Sequence, residues 1–511
     1  MSDTKRASDA GSYEVQTDAG IVRGCGDKGL SVFRGIPYGS IGAGRRFQKP
    51  DPVQPWTGVK DALDFGPQAF QIAMPGQEMP PMFSGKEPMA EDCLTLNVWS
   101  PGLDGKRRPV MVWLHPGGFS AGTSSAPATE GSNLARRGDV VVVSLNHRLN
   151  IFGYLYLAEI GGSAYADSGN AGQFDQLLAL QWVKANIAAF GGDSDNITLF
   201  GESGGSCKIA ALMTMPQARG LFHKGIMQSG PMMKGVDPST ATAAARLVMK
   251  SLGIAEEDVA KLETVPAEAL LKAYVEALGA GHFPTFSPVT DGRALPHEPF
   301  IPNAPAGAEG ISLMVGFNAT ESTSLLGSPD TFTLDWEKLP HALGMFLGPA
   351  AGSVIQSYRK ARPQATASEI FFDITTQIMI HRNSVLIADR KSEQRAPVYM
   401  YELMWRTPVA DGRLGSPHTL EIPLVFDNVE VGRDFLGAGD APQRLADQMS
   451  SAWIAFAKTG DPNGGALPKW PRYDTTSRWT MMFDQESKVL SDPTRELTLP
   501  LLELPLWHCT G

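Results

Sequence analysis

No uninterrupted apolar run in this sequence approaches the ~20 residues that cross a bilayer, so no membrane helix is expected. Cysteine is scarce. Cys25, Cys93, Cys207 and Cys509 lie far apart with no CxxC spacing, which argues against a metal site. Positive charge is in deficit: 44 Lys and Arg against 54 Asp and Glu leave a net charge of −10. Such a surface has no overall footprint for nucleic acid or anionic lipid. The first nine residues are polar and lack the apolar stretch of a secretory signal. The expectation is therefore a short disordered leader over 1–12, reduced thiols and a cytoplasmic location. Repeats, charge blocks and long linkers are also missing, which favours one large domain over 13–511.

What is present is a globular composition, 42% hydrophobic, able to fill a large core. Short apolar strands alternate with glycine turns and helical stretches. Residues 109–114 and 140–145 read as buried strands, and 311–317 and 397–401 are further strand candidates. Residues 170–190 read as an amphipathic helix, with Phe174, Leu177, Leu178, Trp182 and Ile187 near helical spacing, stopped by Gly191 and Gly192. Strands alternating with helices predict an α/β fold, a large mostly parallel central sheet with helices on both faces. Regions 240–278 and 339–382 read as cap insertions over that sheet. The stretch 74–89 carries Met74, Met79, Met82 and Met89 among prolines and glycines. It is either a surface loop packed on the body or a wall of an apolar substrate cavity, since methionine adapts to varied ligands.

The chemistry concentrates at Gly201-Glu202-Ser203-Gly204-Gly205. An apolar run precedes this Gly-x-Ser-x-Gly pattern and a helix-like stretch follows it, the strand–turn–helix context in which the pattern has meaning. The turn is tight enough to demand small residues beside the serine. It lifts the Ser203 hydroxyl above the sheet, and the helix start behind it offers free N–H groups to an oxyanion. A serine hydroxyl is a poor nucleophile, however. It needs a base, a group to orient that base, and donors for the oxyanion. Donors are expected after an early strand, where Trp113-Leu114-His115-Pro116-Gly117-Gly118-Phe119 sits.

From that segment on, the chain resembles the type B carboxylesterase family, which includes the cholinesterases and has the α/β-hydrolase fold. Matching segments span nearly the whole length. They are Phe33-Arg34-Gly35-Ile36-Pro37-Tyr38, Glu91-Asp92-Cys93-Leu94-Thr95-Leu96-Asn97, Asn146-His147-Arg148, Gln228-Ser229-Gly230 and Thr459-Gly460-Asp461-Pro462-Asn463. The resemblance implies a Ser-His-Glu triad in the order Ser203, Glu321 (in Gly316-Phe317-Asn318-Ala319-Thr320-Glu321) and His418 (in His418-Thr419-Leu420-Glu421). It implies an oxyanion hole from the N–H groups of Gly117, Gly118 and Gly204. Ser229 and Glu421 match a polar pair that the family keeps beside its triad, and Glu202 stands next to the nucleophile, where it faces charge developing at His418. No cofactor or metal is implied. The partner would be a small-molecule ester; the oligomeric state stays open between a monomer and a small homo-oligomer.

The departures are informative. Pro116 replaces a glycine of the family's His-Gly-Gly-Gly; proline has no N–H, so it can only shape the loop. Gly204 stands where alanine is usual, and His147 where tyrosine is. The family's disulfide to the Cys93 position has no partner, since no cysteine lies between Cys25 and Cys93. No tryptophan occurs over 69–90, where cholinesterases hold choline by cation–π contact, so choline esters are not indicated. Lys208 replaces a small residue. If buried, it calls for a carboxylate partner, or else serves an acidic group of the substrate. The activity implied is hydrolysis of small to medium apolar or aromatic esters through an acyl-enzyme. An amide or carbamate hydrolase with the same triad, or a non-catalytic binding module on this fold, are the alternatives.

Overall fold

The computed structural model describes residues 11–72, 80–279 and 286–506. Its frame is a sheet of thirteen strands. In chain order these are β1 (Ser12–Gln16), β2 (Ile21–Asp27), β3 (Leu30–Pro37), β4 (Val59–Asp61), β5 (Thr95–Ser100), β6 (Arg108–Leu114), β7 (Val141–Leu145), β8 (Gly192–Glu202), β9 (Lys224–Gln228), β10 (Ser312–Asn318), β11 (Val398–Leu403), β12 (Trp479–Phe483) and β13 (Lys488–Ser491). The spatial order is β1-β2-β3-β5-β7-β6-β8-β9-β10-β11-β12-β13, with β4 beside β2. From β7 to β12 every pairing is parallel. The pairings among β1, β2, β3, β5 and β7, and that of β12 with β13, are antiparallel. The mostly parallel sheet expected from the alternation of elements is thus present, extended at both ends by antiparallel strands.

Alternation along the central strands builds two cores. Val110, Val112, Val141, Val143, Ile197 and Leu199 face one side. Met111, Trp113, Val140, Val142 and Phe200 face the other. Nearly continuous apolar strands are what a sheet covered on both faces requires. On the first side lie α1 (Ala171–Asn186), α2 (Gly204–Thr214), α3 (Pro238–Ser251) and α4 (Ala267–Gly279). A separate apolar cluster joins α5 (Ala351–Ala361) and α6 (Ala367–Thr376) to Leu339, Leu343 and Leu501. α7 (Arg382–Ser392) precedes β11, and α8 (Ala441–Thr459) packs Met449, Trp453 and Phe456 into the second core.

Boundaries differ from the sequence expectation in small ways. The strand read at 140–145 begins at Val141, and the helix read over 170–190 is α-helical only to Asn186, with a 3-10 turn over Ile187–Phe190. Strand β1 begins at Ser12, the last residue of the span 1–12 expected as a disordered leader; residues 1–10 lie outside the described ones. Of the methionine-rich stretch, 74–79 also lie outside them. Met82 packs on the second core, whereas Met89 is exposed. Cys25, Cys93 and Cys207 form no disulfide among the described residues.

Candidate active site

β8 runs into α2 through a single residue. Ser203 sits at φ 52°, ψ −118°, a conformation that a serine adopts only under constraint. The constraint is visible on both sides. The Ser203 N–H donates to the Gln228 carbonyl at 2.7 Å. A Cβ on Gly201 would stand 2.8 Å from the Leu114 carbonyl oxygen, and one on Gly205 only 2.0 Å from it. Those two glycines are therefore obligatory, because strand β6 ends directly against the turn.

Glu321 follows β10 by three residues. It is fully buried, and its Oε1 accepts from the Ser229 hydroxyl at 2.6 Å and from the Asn318 N–H at 2.7 Å. Its Oε2 accepts from His418 Nδ1 at 2.6 Å. That bond fixes the imidazole tautomer, leaving Nε2 as the free ring position. The loop carrying His418 is pinned to the same strand end. Thr320 N–H donates to the Ser416 carbonyl at 3.0 Å, and Asn318 Nδ2 donates to the Pro417 carbonyl at 2.8 Å. His418 Nε2 lies 3.2 Å from Glu202 Oε1. No hydrogen bond joins it to Ser203 Oγ in this structure; such contacts tighten when substrate is bound.

Carboxylates crowd this histidine. Burial alone would hold the His418 pKa down, but Glu202 and Glu321 outweigh it and raise it to about 9. Burial pushes the Glu202 carboxyl well above its ordinary range, against the pull of the His418 cation. Glu421 is raised by burial and by Glu321. It does not touch the histidine. Its Oε2 accepts from Asn318 Nδ2 at 2.7 Å and its Oε1 from Gln228 Nε2 at 3.1 Å, while Trp453 Nε1 on α8 donates to Gln228 Oε1 at 2.9 Å. Ser229, at φ 51°, reaches Glu321 directly. The two residues read as a pair thus act at different removes from His418. Asn318, Gln228 and Trp453 complete the network; Glu402 on β11 is raised to about 8 by burial and by the charge of Glu321. Asn318 and Gln228 lie inside recognised motifs, but their partners are as far as 225 residues away in sequence, and spacing carries no sign of them.

The loop after β6 carries two of the candidate donors. Gly117 and Gly118 have φ 94° and 61°, closed to other side chains without strain. Their N–H groups donate to no acceptor among the described residues. Gly204 opens α2, where the N–H has no intrahelical acceptor. A Cβ on Gly204 would lie 2.5 Å from the Gly118 nitrogen, so the three candidate donors are neighbours. Phe119 is buried, edge-on against Tyr154. His147 is buried and stacks on His115 with ring centroids 5.0 Å apart. Lys208 departs from the expectation of an ion pair. It is fully buried with no carboxylate at salt-bridge distance among the described residues. Its Nζ donates to the His115 carbonyl at 2.9 Å, because the end of β6, rather than an acidic side chain, faces this turn of α2.

A parallel sheet with a serine at a strained strand–helix turn, and a His–Glu pair at neighbouring strand ends, defines an α/β-hydrolase. The sequence pattern described as the Carboxylesterase family matches residues 11–498, so the chain belongs to that family and is a carboxylic ester hydrolase. It is 38% identical over 491 residues to the para-nitrobenzyl esterase of Bacillus subtilis (strain 168), covering 94% of this chain and 97% of that protein. It is 34% identical over 500 residues to the phenmedipham hydrolase of Pseudarthrobacter oxydans, covering 95% and 97%. A crystal structure of a carboxylesterase from Geobacillus stearothermophilus superposes with a TM-score of 0.84 at 37% identity, covering 95% of this chain and 99% of that one.

Proposed function

We propose that Ser203 is the nucleophile, His418 the general base and Glu321 the residue that orients it, with the N–H groups of Gly117, Gly118 and Gly204 as the oxyanion hole. The observation that carries this is the His418–Glu321 hydrogen bond of 2.6 Å beside an elbow serine held at φ 52°. Ser203 Oγ adds to the ester carbonyl as its proton passes to His418 Nε2. The three N–H groups stabilise the tetrahedral oxyanion. The alkoxide leaves with the proton from His418, and water then repeats the two steps on the acyl-enzyme. Glu321 keeps the ring aligned and offsets its positive charge. Ser229, Asn318 and Glu421 hold Glu321 and the His418 loop in place, and Glu202 faces the imidazolium.

The substrates on this reading are small to medium apolar or aromatic esters. The para-nitrobenzyl esterase relative supports the aromatic part. The phenmedipham hydrolase favours a second reading in which carbamates are also cleaved, since the same triad serves both bonds. The reading further takes 13–511 as one catalytic domain, acting in the cytoplasm as a monomer or small homo-oligomer. Among the described residues no helix is long and apolar enough to cross a membrane.

The test is hydrolysis of p-nitrophenyl acetate, butyrate and octanoate with and without a serine-directed organophosphate, followed by mass spectrometry. Activity lost in step with one adduct on Ser203 is expected. S203A should lose turnover while keeping its fold, and retained activity would overturn the assignment. A matched aryl carbamate, tested alongside, separates the two substrate readings.

A further inference from the structure

Four departures from the family pattern meet in one place: Pro116, His147, Gly204 and Lys208. The far half of the donor loop is anchored by several groups. The Asn150 N–H donates to the Phe119 carbonyl at 2.6 Å, Gln71 Nε2 to the Gly122 carbonyl at 3.0 Å, and the Tyr274 hydroxyl to Ser120 Oγ at 3.0 Å. The near half, which carries the candidate donors, is tied to α2 by one hydrogen bond among the described residues, from Lys208 Nζ to the His115 carbonyl. Gly205 and Lys208 are three apart and share a face of α2, and Gly205 is already pressed on the Leu114 carbonyl. On the other side of the turn, the Gly118 backbone lies so close to Gly204 that a Cβ there would stand 2.2 Å from the Gly118 oxygen.

We propose that Lys208 is a positioning residue that draws the oxyanion loop down onto the elbow, with Gly204 as the seat that only glycine can provide. This rests on the oxyanion-hole assignment above. The surroundings suit the task. His115 and His147 each donate Nδ1–H to a backbone carbonyl at 2.8 Å, so their buried Nε2 atoms are lone pairs rather than competing cations. Burial and the Lys208 charge hold both rings neutral. Burial lowers the Lys208 pKa to about 7, so at the alkaline pH where His418 is neutral its Nζ meets the loop as an amine donor, with the Phe119 ring centroid 5.9 Å from it. The Nζ–H bond to the His115 carbonyl at 2.9 Å is available to the amine as to the ammonium, and protonation below about pH 7 strengthens it. It tightens the loop against the place where negative charge develops. Pro116, lacking an N–H, stiffens the step from the tethered carbonyl to Gly117.

Two substitutions test this from opposite sides. K208M keeps the side-chain length and removes the donor. G204A leaves the lysine in place and fills the seat with the residue usual in the family. Each variant is titrated with organophosphate to count competent Ser203. It is then assayed with p-nitrophenyl butyrate and with a trifluoromethyl ketone, whose adduct with Ser203 places an oxyanion in the hole. A displaced donor should lower kcat by about 10- to 100-fold. KM should stay within about threefold, and ketone affinity should fall with kcat/KM. A kcat near that of the wild type in G204A or in folded K208M would overturn the proposal, as would a fallen kcat with unchanged ketone affinity. If K208M does not fold, G204A decides. Wild-type protein that takes no organophosphate on Ser203 would instead overturn the underlying assignment of the nucleophile.

Discussion

At the scale of single residues, the electrostatics of His418 set the working pH. On the proposed assignment of His418 as general base it must be neutral, and the raised pKa of about 9 keeps it protonated below that value. Activity on the free enzyme therefore rises with pH through that region and is lost as pH falls. Glu202 is the largest carboxylate contribution to the rise. Glu202→Gln should move the ascending limb of the kcat/KM profile to lower pH, read from a pH series with p-nitrophenyl butyrate; an unmoved limb would sink this account. Ser203 carries a different cost. Its positive φ is worth roughly 1–3 kcal/mol of strain, which glycine does not feel. Ser203→Gly should be inactive yet melt at a higher temperature than the wild type by calorimetry. That Ser229, Glu321 and His418 come together, with the candidate donor glycines beside Ser203, was legible because their motifs stand in the chain as written. The partner of Lys208 was not, because a backbone carbonyl 93 residues away has no side-chain signature.

At the scale of elements, the end of β7 and helix α1 are joined by a buried ion pair. Arg148 donates from Nε and Nη2 to the two oxygens of Asp175 at 2.8 and 2.5 Å, with both side chains almost wholly buried. Burial costs such a pair much of its Coulomb gain, but removing one partner strands a charge. Asp175→Ala should destabilise the protein by about 3–5 kcal/mol; a denaturation midpoint close to that of the wild type would contradict this. The strands 109–114, 311–317 and 397–401 could be read to within two or three residues because both of their faces are apolar. The outer antiparallel strands β1, β2 and β13 went unread, since half-buried edges carry mixed patterns. So did the grouping of α5 and α6 with Leu501, a contact between segments more than 100 residues apart that no local periodicity encodes.

At the scale of the whole molecule, the site has no local origin. Ser203 follows β8, Glu321 follows β10 and His418 follows β11, while Gly117 comes from the far side of β8, after β6. Glu321 and His418 alone are separated by 97 residues. Long-range parallel pairings of this kind form slowly. In refolding from denaturant, helical circular dichroism should return before esterase activity, and simultaneous recovery at all denaturant concentrations would contradict that order. The same arrangement has a meaning during synthesis on the ribosome. On the proposed assignment, a nascent chain that has delivered Ser203 and its donor loop is still more than 200 residues short of His418, so the emerging polypeptide carries a serine with no base to activate it. On that assignment, activity waits for the C-terminal quarter of the chain to be made, however early the elbow itself folds.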